Sequence, residues 1–454
     1  MHPDGPVANR TDDPNNTIDE AFEFFDTEVR DWALHEGAQE AERRLETVAE
    51  VLWSGVSLVV IDLGDGDEAQ VIFETLNARG TPLLAFDLVK NLVFRRAQEE
   101  GLSLDALHSD VWSKLEVRYW RELIGRGHRQ RPRSEQFLLH WLTMREGSEI
   151  PPAEMFRRFD SRFQAEADGD VRSFVDSFCR DAGVWKGFGE QPERSYERLF
   201  FQRLGEMGVL TAHPLLLLLF RSNPEELDPR RRRRLLRMLE SWLVRRMILK
   251  LNTRNYGDTF SQLIAVVGQD LSRADDLTLE WLRAQTGESA MWPNDAAVID
   301  ACVSVPMYQR QLNVTRTKLL LAGIELGMRT DLSEEIDLPP TLHIEHVLPQ
   351  TWSLHWPVRG EAAEECRHRH VHVLGNLTLV TKRLNSTLSN AAWVSMPEGR
   401  TPKRETLNKH SVLLLNRRLV DGWPERWDEE TIDDRGRQLA SVAVDVWPGP
   451  SAWE

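Results

Sequence analysis

A chain of 454 residues exceeds what one ordinary hydrophobic core organises, so two or three domains are expected. With 41% hydrophobic and 28% charged residues, the composition is globular and excludes a disordered chain. A formal charge of −16 excludes a protein that coats nucleic acid through its net charge, while leaving room for one local basic groove.

The opening MHPDGPVANRTDDPNN is polar and lacks the apolar stretch of a secretory signal. The cysteines, Cys179, Cys302 and Cys366, are odd in number and far apart, which suits a reducing, cytoplasmic setting without a disulfide framework. From about Asn16 to Trp53, Ala21, Phe24, Phe25, Val29, Trp32 and Ala33 recur at helical spacing, predicting helices against a core. Ser57–Leu63 (SLVVIDL) reads as a buried strand closed by the Gly64–Asp67 turn. In EAQVIFETLNARGTPLLAFDLVKNLVF, Val71, Ile72, Thr75 and Leu76 fit one helix face, Gly80 and Pro82 break it, and a second helix carries Asp87 and Lys90. The first boundary falls near Gly101, giving a domain over 1–104, and Gly125–Ser134 (GRGHRQRPRS) reads as a basic loop.

Residues 105–335 read as almost entirely helical. LTAHPLLLLLF is too short to span a bilayer and predicts a buried helix, so no membrane partner is expected. Nine arginines fall within 25 residues from Arg230 to Arg254, alongside Met238, Leu239 and Trp242 on an apolar face. A salt-bridged helix face is the ordinary reading of such a cluster, and contact with phosphate the sharper one. Beyond Pro339 and Pro340, short β-rich pieces between helices mark a compact unit over 336–454. Its tail places Ile432, Leu439, Val442 and Val446 near helical spacing, predicting a final helix that docks through Trp447. The fold class is mainly α with small α/β parts.

That last unit holds HIEHVLPQ and, downstream, GNLTLVTKRLN, in which Asn376 and Asn385 are nine residues apart. A histidine at a strand end, a second strand opened by asparagine, and another asparagine entering a helix make the layout of a ββα-metal finger. Phosphodiester hydrolysis needs a water stripped of its proton and charge stabilisation at phosphorus. Neutral histidine suits the first task, which makes His346 the candidate base. Hard Mg²⁺ or Mn²⁺ suits the second, with Glu345 and Asn385 as oxygen ligands. Neighbours on a strand point to opposite faces, so Glu345 and His346 converge only if the backbone bends there. Asn376 is suited to bond backbone and hold the loop that carries His346, and Lys382 and Arg383 precede Asn385 within reach of a phosphate oxygen. Cys366, His368, His370 and His372 raise a zinc reading, but their alternation in a single segment is unlike sites that draw ligands from two segments.

HIEHVLPQ, GNLTLV, RLNSTLSN and PKRETLNKHSVLLLNRRL resemble the HNH nuclease domain of GmrSD-type modification-dependent restriction endonucleases, over about residues 336–450. VIFETLNARGTPLLAFDLVKN resembles the second half of that family's ParB/sulfiredoxin-like nucleotide-hydrolysing domain, and LESWLVRRMILKLNTRNYGDTF its helical linker. The resemblance implies His346 as general base, Asn376 as the orienting middle residue, Glu345 and Asn385 around the metal, and foreign, modified DNA as substrate. It also places Phe73, Glu74, Asn77, Arg79 and Gly80 in part of an NTP pocket. The family's N-terminal DGQQR-type motif is absent from the sequence, so the chain is expected to begin inside that domain, with a companion chain as one source of the missing half. The rival expectation is a non-catalytic DNA- or protein-binding subunit; RNA is a further substrate the chemistry admits.

Overall fold

A computed structural model describes residues 17–35, 37–57, 84–125, 130–167, 169–308, 314–330, 338–339, 341–354, 356–395 and 401–453. All but the first residue of the strand expected over Ser57–Leu63 lies outside them, as do Phe73, Glu74, Asn77, Arg79 and Gly80. The chain forms two compact units: Met1–Leu88 with Glu116–Arg133, and Val89–Leu115 with Ser134–Glu454.

In the first unit the expected helices form as α1 (Thr17–Leu34) and α2 (Ala38–Glu50). Gly37, at φ 100°, makes the turn between them, a conformation L side chains rarely adopt. Their apolar stripe departs from expectation: Ala33 is buried, but Phe24, Phe25 and Trp32 are 59%, 64% and 44% exposed. Among the described residues the two helices pack chiefly against each other, and no third layer covers that face. Arg44 instead lays its guanidinium over the Trp32 ring at 4.1 Å. The basic stretch after Leu123 is closed at its base by a small antiparallel pair, β1 (Leu123–Ile124) and β2 (Arg131–Pro132). Arg133 ties that base to Glu122 and stacks on Tyr119 at 4.3 Å.

The helix bearing Asp87 and Lys90 runs Ala85–Glu99 (α3). A helical array follows: α4 (Arg133–Glu146), α5 (Met155–Glu166), α6 (Val171–Lys186), α7 (Tyr196–Met207), α8 (His213–Arg221), α9 (Pro229–Ile248), α10 (Tyr256–Val267), α11 (Ala274–Ala284), α12 (Asp295–Ser304) and α13 (Val314–Gly327). Several starts are set by side chains that accept from otherwise orphaned amides: Asp170 for α6, Ser195 for α7, Asp228 for α9 and Asn294 for α12. Trp141, Phe159, Phe174 and Phe178 interlock between α4, α5 and α6, edge to face except for the tilted Trp141–Phe159 pair. The leucine run forms α8 and buries Leu215, Leu216, Leu217 and Leu219. Among the described residues no helix is long and apolar enough to cross a membrane.

The C-terminal part adds β3 (His343–His346), α14 (Glu361–His370), β4 (Leu377–Val380), α15 (Lys382–Leu388), α16 (Lys403–His410), α17 (Leu414–Gly422) and α18 (Glu429–Val446). Helix α18 starts at a capping box built by Asp428 and Thr431 and packs along α12 and α13. It docks through Trp447, whose indole donates to Glu240 of α9 at 2.8 Å. Gly323 of α13 admits the ring, because any Cβ there would run into it. The segments distinguished by texture at 105–335 and 336–454 therefore share one packed unit through α18.

Candidate functional site

Strands β3 and β4 pair antiparallel, with Glu345 opposite Thr378 and His346 opposite Leu377. Thr381 caps α15, and α15 packs back against β3, completing a ββα unit. The turn Leu374–Asn376 that leads into β4 nests against α18. Gly375 makes this possible, since a Cβ there would collide with the Ile432 carbonyl and the Gly436 amide. The buried Arg435 of α18 donates to the carbonyls of Gly375 at 2.6 Å and Leu377 at 2.8 Å, fixing the turn from below.

Asn376 is fully buried and spends both ends of its amide. Its Oδ1 accepts from Leu348 N at 2.7 Å and Trp427 Nε1 at 3.1 Å; its Nδ2 donates to the carbonyls of Leu348 at 2.9 Å and Val371 at 2.8 Å. With Val347 N bonded to the Asn376 carbonyl at 3.0 Å, the backbone leaving His346 is clamped on both sides. A buried amide with every group satisfied is a rigid strut.

His346 is buried at the end of β3, beneath the edge-on ring of Tyr308 at 4.7 Å. Its Nδ1 lies 3.4 Å from Gln350 Nε2, and its Nε2 lies 3.3 Å from His372 Nδ1. A side-chain amide nitrogen only donates, so Nδ1 of His346 is the acceptor and Nε2 carries the proton toward His372. The lone pair therefore faces exposed Gln350, across a contact long enough for a water to displace. Burial, then His372 and Lys403, lowers the His346 pKa to about 3, so the imidazole is neutral at ordinary pH. Half-buried His372 is lowered by burial as well.

A folded pKa of about 3 against an ordinary 6.5 means that the unfolded chain takes up this proton first. His346 thus contributes stability that is complete above about pH 6.5 and is lost as pH falls toward 3, by up to about 1.4 kcal/mol per pH unit. His346→Gln is expected to show a shallower acid loss of urea midpoint between those limits than the parent. Equal slopes in the two titrations would contradict it.

Glu345 points away from His346. The backbone does not bend between them, the condition for their convergence, because both residues hold ladder register and the chain turns only after His346. The Glu345 carboxylate is buried and its Oε1 accepts from the fully buried ammonium of Lys403, which also donates to the His346 carbonyl at 2.7 Å. Burial raises Glu345 while Lys403 holds it back, and burial lowers Lys403 while Glu345 holds it up. Asn385 sits on α15 with its Oδ1 buried and without a hydrogen-bond partner, a costly state for an amide oxygen. Among the described residues no hydrogen bond links the side chains of Glu345, His346 and Asn385 to one another. Lys382 and Arg383 occupy the exposed first turn of α15.

The zinc reading finds no support. Cys366 and His370 lie one turn apart on α14, His370 pairs with Asp433 at 3.1 Å, His368 packs on Trp352, and His372 belongs to His346. No group of three His, Cys, Asp or Glu side chains among the described residues has a metal-holding arrangement. The arginines of α9 follow the salt-bridge reading for the most part: Arg231 and Arg234 pair with Asp275 and Asp276, Arg233 with Glu197, and buried Arg245 and Arg246 donate to carbonyls. Sequence reasoning missed Lys403, Tyr308 and Arg435 as parts of the site and weighed His372 only for zinc.

The family model for the C-terminal domain of GmrSD restriction endonucleases matches residues 292–442, spanning the whole ββα unit and most of α18. The model for the N-terminal domain of the same endonucleases matches residues 7–94, and the two together cover more than half of the chain. No curated protein matches the sequence.

Proposed function

Because this chain belongs to the GmrSD restriction endonuclease family, we propose that its ββα unit is an HNH-type nuclease that cuts foreign, modified DNA with Mg²⁺ or Mn²⁺ and a histidine-activated water. What supports the reading is the geometry around His346: a neutral imidazole whose Nδ1 lone pair faces the exposed side, held by a backbone that Asn376 clamps. His346 takes the proton of the attacking water at Nδ1, and the Nε2 proton moves to Nδ1 of His372, which is partly exposed and returns it to solvent. Lys382 and Arg383, beside the positive end of α15, hold a non-bridging phosphate oxygen.

What supports a hard cation here is the buried, unpartnered oxygen of Asn385, with Glu345 as a second donor once Lys403 releases it. Glu345 and Asn385 offer oxygen donors, and the Asn385 Oδ1 lacks the hydrogen bond that burial would otherwise demand. When bound, the cation supplies Lewis-acid stabilisation of the scissile phosphate. Asn385→Ala is expected to raise the Mg²⁺ concentration for half-maximal cleavage by roughly tenfold or more without lowering the melting temperature, since Oδ1 has no hydrogen bond to lose and its removal relieves an unsatisfied buried oxygen. Chelation should stop cleavage by the parent. Unaltered Mg²⁺ dependence in the variant would remove Asn385 from the site.

One observation favours a non-cleaving alternative: the Lys403 ammonium already neutralises Glu345. That reading predicts DNA binding without cleavage in either metal, and metal-dependent cutting by the purified chain rejects it.

A further inference from the structure

Most arginines at the start of α9 are accounted for, and two are not. Five cations in succession, Arg230 to Arg234, stand at the positive end of a helix dipole, where each is unfavourable. Glu197, Asp275 and Asp276 neutralise Arg231, Arg233 and Arg234, and Arg232 stacks on Phe220 at 4.6 Å. Arg230 and Arg237 are exposed and have no ion pair among the described residues. Together with Arg233 and Arg234 they line one wall of a cleft of about 460 Å³, whose other wall is Ala452 and Trp453.

That second wall is built in place. Arg283 donates to the carbonyls of Pro450 at 2.9 Å and Trp453 at 3.4 Å, and the Trp453 indole donates to Pro448 O at 3.3 Å. The Asp228 carboxylate is turned to the backbone, accepting from Arg230 N at 2.6 Å, so it leaves the Arg230 guanidinium free of it. Positions 230, 233, 234 and 237 share one helix face. Arg230 and Arg237 are seven residues apart, roughly 10 Å along the axis, or about three base-pair steps of duplex.

We infer that this arginine-lined cleft is a docking site for the sugar–phosphate backbone of the DNA, apart from the ββα unit that cuts it. The inference rests on the nuclease reading above. It reconciles an acidic chain with a polyanionic substrate: contact is confined to local basic surfaces, this cleft and the Lys382–Arg383 turn, while the acidic surface elsewhere repels. Trp453 offers an apolar wall for a sugar face, its indole N–H being already spent.

The test uses the full chain with a labelled short duplex and excess chelator, so that binding is read without cleavage. Arg230→Gln with Arg237→Gln removes two unpaired surface cations, one of them unfavourably placed at the helix start, so the melting temperature should not fall. Affinity is expected to fall by about tenfold, and the dependence of log K on log salt to become shallower by about 2, one unit per lost phosphate contact. Unchanged affinity and slope, with a parent that binds, overturn the cleft and leave the nuclease reading standing. A parent that binds no duplex overturns both. The same pair of proteins titrated with ATP distinguishes the remaining source of phosphate: loss of ATP binding with duplex binding intact overturns the DNA assignment in favour of a nucleotide site.

Discussion

Replacing His346 by alanine is expected to lower the single-turnover rate of DNA cleavage by a factor of about 10²–10⁴ while leaving duplex binding close to that of the parent. The expectation follows from how the imidazole is held. Its Nε2 proton is committed to His372 and its Nδ1 lone pair faces outward, while burial keeps the ring neutral and so unsuited to binding phosphate, at the cost of making it a weaker base. Loss of rate without loss of affinity is the signature of a group that acts in the transition state. His372→Gln keeps the volume and a hydrogen-bonding end, so it should slow cleavage more mildly, because solvent can still reach the Nδ1 side through exposed Gln350. The alanine variant also leaves a hole beneath Tyr308, worth on the order of 2 kcal/mol, so rates belong at temperatures where both proteins are folded. A His346→Ala protein that cuts as fast as the parent would end the histidine-base mechanism.

How much of this was legible in the sequence differs from residue to residue, and the difference is physical. Helix α9 was readable because Trp242, Met238 and Leu239 repeat at helical spacing, and Asn376 was readable because an amide beside a tight glycine turn has few tasks other than bonding backbone. The partners of Asn376 were less so: Leu348 is 28 residues away and Trp427 is 51. Helix α1 shows the opposite failure. Its stripe is a local pattern and predicted the helix, but burial depends on what lies across from it, which local pattern does not contain. Lys403 was illegible for the same reason. It lies 58 residues from Glu345 among other basic residues, and nothing local separates a lysine that will be buried from one that will be solvated. The nucleotide motif around Glu74, Asn77, Arg79 and Gly80 stands on resemblance alone.

Lys403→Met carries the second large effect, because it removes one member of a buried ion pair and leaves the other. Glu345 would remain buried with an uncompensated carboxylate, which typically costs about 3–5 kcal/mol. Burial already raises the Glu345 pKa and Lys403 opposes that rise, so without the ammonium the carboxyl is driven further toward its protonated form. A protonated carboxyl is a poor cation ligand, so cleavage should fall by about 100-fold or more even below the melting temperature. The His346 carbonyl also loses the Lys403 donor, loosening the strand end that presents the base. Adding Glu345→Gln to Lys403→Met separates the two consequences. The double variant has no buried charge to strand, so much of the lost stability should return, while cleavage should stay low because the ligand is still missing. If the single variant keeps both its melting temperature and its rate, the pair does not shape the site. If the double variant is stable and cuts well, Glu345 is not a metal ligand and its pairing with Lys403 is structural. Recovery of stability without recovery of cleavage would instead mean that the ammonium holds a working carboxylate ionised in a buried place, which is incompatible with the non-cleaving alternative.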